Sequence, residues 1–103
     1  MVQESVQLAR MLDAYRLAKD YSWPQLASAM KKQHCWIPSR TLNYLMKRPP
    51  DHPRDRTLFK MRKFLSWARR EDREAMFRAR AIYREQLQHD AEMQKQQAEA
   101  VVS

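Results

Sequence analysis

Residues Ile37–Arg48, IPSRTLNYLMKR, decide how this chain is read. Leu42, Leu45 and Met46 recur at spacings of three and four, which an α-helix stacks on one face, so a short helix with a leucine-lined inner side is predicted here. The same spacing turns Ser39, Arg40, Asn43 and Lys47 toward the other side. Pro38 suits the front boundary, and Pro49 and Pro50 stop the helix, because proline lacks the amide proton a helix interior needs and restricts the residue before it.

Upstream, Ser22-Trp23-Pro24-Gln25 carries a strong start signal: a capping serine, a proline in the first turn and a glutamine three residues after the cap. The helix it opens is predicted to end near Lys32, with Leu26, Ala27 and Met30 inward. Ala27 is small enough for a neighbouring helix to cross closely. Residues 33–38, QHCWIP, form the connection, with Ile37 plugging the core. An earlier helix is predicted from Glu4 to Asp20, with Leu8, Met11 or Leu12, Tyr15 and Ala18 at helical spacing; it reads as scaffold.

Downstream, PPDHPRDR reads as a proline-rich loop. A further helix starts near Asp55 or Thr57 and closes a four-helix unit by about Trp67, with Leu58, Met61, Phe64 or Leu65, and Ala68 inward. From Glu71 to about Ala100 there is no proline and the charges alternate in sign, as on a solvated helix. Its apolar stripe, Met76, Ala79, Tyr83 and Leu87, is thin, with Phe77 and Ile82 at the edge. Such a stripe needs a partner, either the first helix or a second copy, and a homodimer through these four residues is expected. The heptad pattern breaks at Gln86 and Asp90, against a long coiled coil, and the chain is expected to fray after about Gln94.

Composition agrees with an all-α chain. Among 103 residues there is no glycine, so tight glycine hairpins are excluded, while strong helix formers are abundant. A chain this short buries only about 60 to 65% of its unfolded surface, enough for one small core. The lone Cys35 has no internal disulfide partner. No signal-peptide pattern and no run of 18 apolar residues occurs, so a cytoplasmic protein without a membrane partner is expected.

The net charge of +8 lies in one place. Residues 1–30 and 69–103 are each neutral, whereas residues 31–68 carry ten basic groups against Asp51 and Asp55. Clustered Lys and Arg gain free energy by releasing counterions from phosphates, so a polyanionic partner is indicated.

Leu26-Ala27 in one helix, Ile37 in the following turn and Thr41-Leu42 in the next helix together resemble the helix-turn-helix of the lambda-repressor and Cro class of bacterial and phage regulators, over roughly residues 8–66. With the helical readings above, the expected fold is all-α: a compact four-helix domain over 1–68, helix-turn-helix by this resemblance, followed by a long C-terminal helical extension over 69–103. Leu26 and Ile37 are eleven residues apart, wider than that family's spacing, and no glycine stands in the turn. A longer first motif helix or a widened turn must absorb the difference.

By the same matching, Ser39, Arg40, Asn43 and Tyr44 fall where that family contacts bases. Arg40 has the fork that bonds guanine O6 and N7 together, and Asn43 can pair likewise with adenine. Ser39 and Thr41 can meet a phosphate through hydroxyl or backbone N–H groups. Lys31, Lys32, Lys47, Arg48, Arg54, Arg56 and Lys60 are the remaining candidates for phosphate contacts.

Other constellations are weaker. His34, Cys35 and His52, with His89 far off, lack the paired spacing of zinc sites. Trp23, Trp36, Trp67 and Tyr21 can be imagined as a stacking surface, though core packing is the simpler role. No catalytic triad, glycine loop or carboxylate pair appears, so no enzyme, cofactor, metal or small-molecule substrate is expected. The expectation is a sequence-specific regulator of double-stranded DNA, a repressor of plasmid, phage or bacterial origin, dimeric and nucleoid-associated. The alternative is a small inhibitor or adaptor that sets its basic helical face against an acidic protein. RNA binding comes third, for want of a recognisable RNA-binding signature.

Overall fold

The computed structural model describes residues 4–48 and 54–102, with side chains as far as Gln96. Five helices follow one another: α1 (Glu4–Ala18), α2 (Trp23–Lys32), α3 (Ser39–Lys47), α4 (Asp55–Glu71) and α5 (Arg73–Val102). Among the described residues there is no strand, and the fold is all-α. No helix is long and apolar enough to cross a membrane, again among the described residues.

Lacking glycine, the chain ends its first two helices on side chains forced into the left-handed region. Asp20 takes φ 55° after α1 and His34 takes φ 60° after α2. Each closes the same pair of bonds: Tyr21 N–H to Arg16 O with Asp20 N–H to Leu17 O, and Cys35 N–H to Met30 O with His34 N–H to Lys31 O. This is the Schellman arrangement, which satisfies carbonyls the helix end leaves orphaned. In the second copy the residue after the left-handed one is Cys35, buried like Met30, and this apolar contact commonly accompanies the motif.

The start of α2 follows the reading of Ser22: its hydroxyl accepts from Gln25 N–H while Gln25 Oε1 accepts from Ser22 N–H at 2.7 Å. Two orphan donors are satisfied reciprocally.

Helix α1 is the central element. It packs most extensively on α5 and also touches α4 and α3, so its buried arc is wider than the stripe read from sequence and takes in Ser5, Ala9 and Ala14 besides Leu12 and Tyr15. The core holds Leu26, Met30, Cys35, Ile37, Leu42, Met61, Phe64 and Leu65 with Met76 and Ala79. Phe64 stands edge-on to Tyr15 at 5.4 Å, an arrangement aromatic quadrupoles favour.

The last helix is where the structure departs most from the sequence reading. Met76 and Ala79, expected to pair two chains, are buried in this chain's own core, and Tyr83 is half-buried against it, while Leu87 stays at the exposed rim. The reason is geometric: α5 returns antiparallel along α1, with Lys19 meeting Asp72 at one end at 3.1 Å and Arg10 meeting Asp90 at the other at 2.8 Å. The stripe serves α1 first. The core therefore runs across residue 68, and the start of α5 shares it with α1 and α4.

Helix α4 also runs to Glu71, past the expected end near Trp67, and breaks at the single residue Asp72 (φ −135°, ψ 58°). Its N–H donates to Ala68 O at 2.8 Å and its carbonyl accepts from Met76 N–H at 3.0 Å. Its carboxylate accepts from Tyr15 OH at 2.8 Å and pairs with Lys19. Burial would raise the Asp72 pKa, but the Tyr15 and Lys19 contacts outweigh it and hold the carboxyl below the usual range. Tyr15 on α1 and Lys19 just past its end thus hold the junction between α4 and α5.

Candidate nucleic-acid interface

Helix α3 is short and sharply two-sided. Leu42 and Leu45 are buried toward α1 and α2, while Arg40, Thr41, Tyr44, Lys47 and Arg48 are exposed. Ser39 and Asn43 are half-buried on its flank. Arg40, Tyr44 and Lys47, at intervals of four and three, form an outward ridge with Asn43 beside it. Tyr44 is 60% exposed, unusual for so large a ring with an apolar body. Pro38 is the N-cap and supplies no side-chain hydrogen bond, so the first amides of α3 keep no capping partner.

The other sequence-selected cations fall around this helix. Lys31 and Lys32 are exposed on the last turn of α2, and Arg54 and Arg56 are exposed at the start of α4. Lys60 is placed differently. Its Nζ donates to Trp36 O at 3.0 Å, tying α4 to the 33–38 connection, so part of its donor capacity goes to structure. Pro49–Pro53, and with them His52 and most of the proline-rich loop, lie outside the described residues.

Charge balance separates this surface from the rest: Arg69, Arg70, Arg73, Arg80, Arg84 and Lys95 also lack an ion-pair partner among the described residues, but they alternate with acidic residues along the chain. The ion pairs are Arg10–Asp90, Arg16–Asp13, Lys19–Asp72, Arg62–Glu4 and Arg78–Glu74. Among the described residues, Lys31, Lys32, Arg40, Lys47, Arg48, Arg54, Arg56 and Lys63 have no such partner. For Lys31 to Arg48 the sequence explains why: from Tyr21 to Pro50 there is no Asp or Glu at all.

The connection from α2 to α3 spans residues 33–38 and is anchored in the core. Cys35 and Ile37 point into the core, and the Cys35 thiol donates to Gln33 O at 3.2 Å. Burial pushes this thiol's pKa up, opposed by the charges of Lys63 and Lys60. Cys35 is a packing residue. Among the described residues no three His, Cys, Asp or Glu side chains come together as a metal site would need.

The aromatic residues separate in the same way. Trp23 lies under the Arg16 guanidinium at 4.2 Å, Trp67 packs on Phe64 at 5.5 Å, and Tyr21 meets Tyr15 edge-on. Trp36 stands out at 50% exposure, and so does Phe59 at 61% on α4. Sequence reasoning weighed Trp36 only with Trp23, Trp67 and Tyr21 and did not single out Lys63; the Lys60 bond to the Trp36 carbonyl is what ties the connection to α4.

Searched against protein-family models, curated proteins and solved structures, the chain matches none.

Proposed function

We propose that this protein binds double-stranded DNA in a sequence-dependent way and regulates transcription, with α3 as the helix that enters the major groove. The observation that carries the reading is the exposed ridge of Arg40, Tyr44 and Lys47 on a helix seated from behind by Leu42 and Leu45. It lies in a stretch of chain without a carboxylate. An α-helix fits the major groove, where an arginine fork distinguishes guanine. Unpaired lysines and arginines around it release counterions from phosphate, and the uncapped amides of Ser39, Arg40 and Thr41 suit a phosphate at the helix start. Asn43 reads from the flank, and the exposed cations of α2 and α4 position the backbone. In this reading the protein is a helix-turn-helix regulator of the lambda-repressor and Cro kind, working in the cytoplasm on the nucleoid. Repression follows from occupying a promoter.

A symmetric dimer belongs to the same reading, since two recognition helices one DNA turn apart read a two-fold site. With Met76 and Ala79 buried within one chain, the seam falls to Leu87 and the part of α5 beyond Asp90. Residues 91–96 are all exposed, Met93 at 47%. A helical segment without tertiary packing is marginal in water, which favours a partner there.

The test is selection of sites from a random duplex pool at physiological salt, beside an Arg40→Ala, Asn43→Ala double variant. A two-fold-symmetric motif that the variant fails to select supports regulator, dimer and recognition helix together. Absence of any enriched motif, with wild type and variant retaining the same weak salt-sensitive binding, removes the reading and favours an acidic protein partner.

A further inference from the structure

Trp36 is held outward by its neighbours. Cys35 is 0% and Ile37 3% exposed, so the chain is fixed in the core on either side of an indole that is half in solvent. The Lys60 bond to its carbonyl fixes it a third time. Of the three tryptophans, Trp23 is covered by Arg16 and Trp67 by Phe64, while no such stacking partner lies on Trp36 among the described residues. A large aromatic kept exposed on a rigid support resembles a binding anchor more than a packing residue. Its surroundings state the sign of the partner. Lys60 is bonded to its carbonyl, Lys63 is exposed one turn further along α4, and Ser39 opens α3 three residues later.

We infer that Trp36 is a stacking platform for a nucleobase displaced from the duplex, with Lys60 and Lys63 on the flanking phosphates. The protein then binds DNA most tightly where a base step is open or kinked. The inference rests on the DNA-binding reading above but on a different anchor, Trp36. Aromatic faces accept any base, so this contact adds affinity at a deformed step without reading its sequence, and a step already unstacked has less deformation left to undergo.

The experiment uses the full chain and two duplexes of identical sequence, one carrying a single unpaired adenine. Fluorescence anisotropy gives affinity and tryptophan emission reports stacking, for wild type, Trp36→Phe and Trp36→Leu. Wild type is expected to prefer the bulged duplex by roughly tenfold with quenched emission. Trp36→Leu loses both preference and quenching but keeps its affinity for the intact duplex, and Trp36→Phe keeps part of the preference. Equal affinity of wild type for both duplexes overturns the inference, as does a preference that survives in Trp36→Leu. If Trp36→Leu fails to fold by circular dichroism, Trp36→Phe decides, and an undiminished preference with undiminished quenching counts against stacking. Equal binding that still depends on Arg40 leaves the α3 reading standing; no duplex binding by wild type removes both.

Discussion

The α1–α5 face and the α3 surface use the same kinds of residue to opposite ends. Along α1 and α5 basic and acidic residues balance, and some of them pair: Arg10 with Asp90, Lys19 with Asp72, and Arg78 with Glu74 on its own helix. Around α3, exposed lysines and arginines stand with no carboxylate partner among the described residues. The first face is neutral overall, and its pairs join α1 to α5. The second keeps an unneutralised field, which destabilises a lone protein slightly and attracts a polyanion. Surface ion pairs contribute little individually, so the stability of the first face must come mainly from the apolar residues beneath it.

The largest test of that contrast removes the shared foundation. Phe64→Ala is expected to cost about 3 to 5 kcal/mol, since the ring packs on Tyr15 and Trp67. Urea denaturation measures the loss, and DNA binding should fall with the folded fraction. Unchanged stability would mean that α4 is not part of the common core.

Next comes the junction. Asp72→Ala leaves the Tyr15 hydroxyl and Lys19 without their acceptor and is expected to cost about 1 to 3 kcal/mol, with DNA affinity of the folded variant unaltered. The pH dependence has a definite sign. Because the folded-state pKa of Asp72 is depressed, its contribution is complete above the unfolded carboxyl value of about 3.9 and fades as pH falls through the lower folded value. In acid titrations followed by circular dichroism, Asp72→Asn should lose less stability than wild type over that window; equal losses would show that other carboxylates govern acid unfolding.

A smaller effect sharpens the backbone argument. His34→Gly relieves a left-handed residue, offset in part by the greater freedom of glycine in the unfolded chain, and a gain of about 0.5 to 1 kcal/mol is expected. Thermal melting checks it, and a destabilised variant would show that the His34 side chain makes a contribution beyond its backbone angle.

The finest distinction is between two exposed cations. Lys47→Gln should lower the slope of log affinity against log salt by about one, whereas Arg78→Gln, which breaks only a pair with Glu74, should leave the slope unchanged. Equal slopes for both variants and wild type would dissolve the contrast.

Much of the candidate surface was legible beforehand because it depends on local rules. The Ser22–Gln25 box, the inward Leu26, Ala27, Met30 and Ile37, and the two faces of Ser39–Lys47 all follow from caps and helical spacing. The bond between Lys60 and Trp36 did not, although both residues had been singled out separately, because a lysine ammonium meeting a carbonyl twenty-four residues away leaves no trace in periodicity. Nor did the fate of Met76 and Ala79, for an apolar stripe records that it needs a partner and not which partner it meets.

By itself, then, the sequence determined that the chain is helical, where its early helices begin, and that its positive charge is concentrated between residues 31 and 68. Backbone propensity, capping and composition are local, and a single chain carries them openly. Only the tertiary structure decided that α5 folds back on α1, that Asp72 divides α4 from α5, and that Trp36 is left outside. Each of these depends on groups distant in sequence coming within a few ångströms: Tyr15 and Lys19 at Asp72, Lys60 at the turn, and α1 lying where the Met76 stripe could close on it.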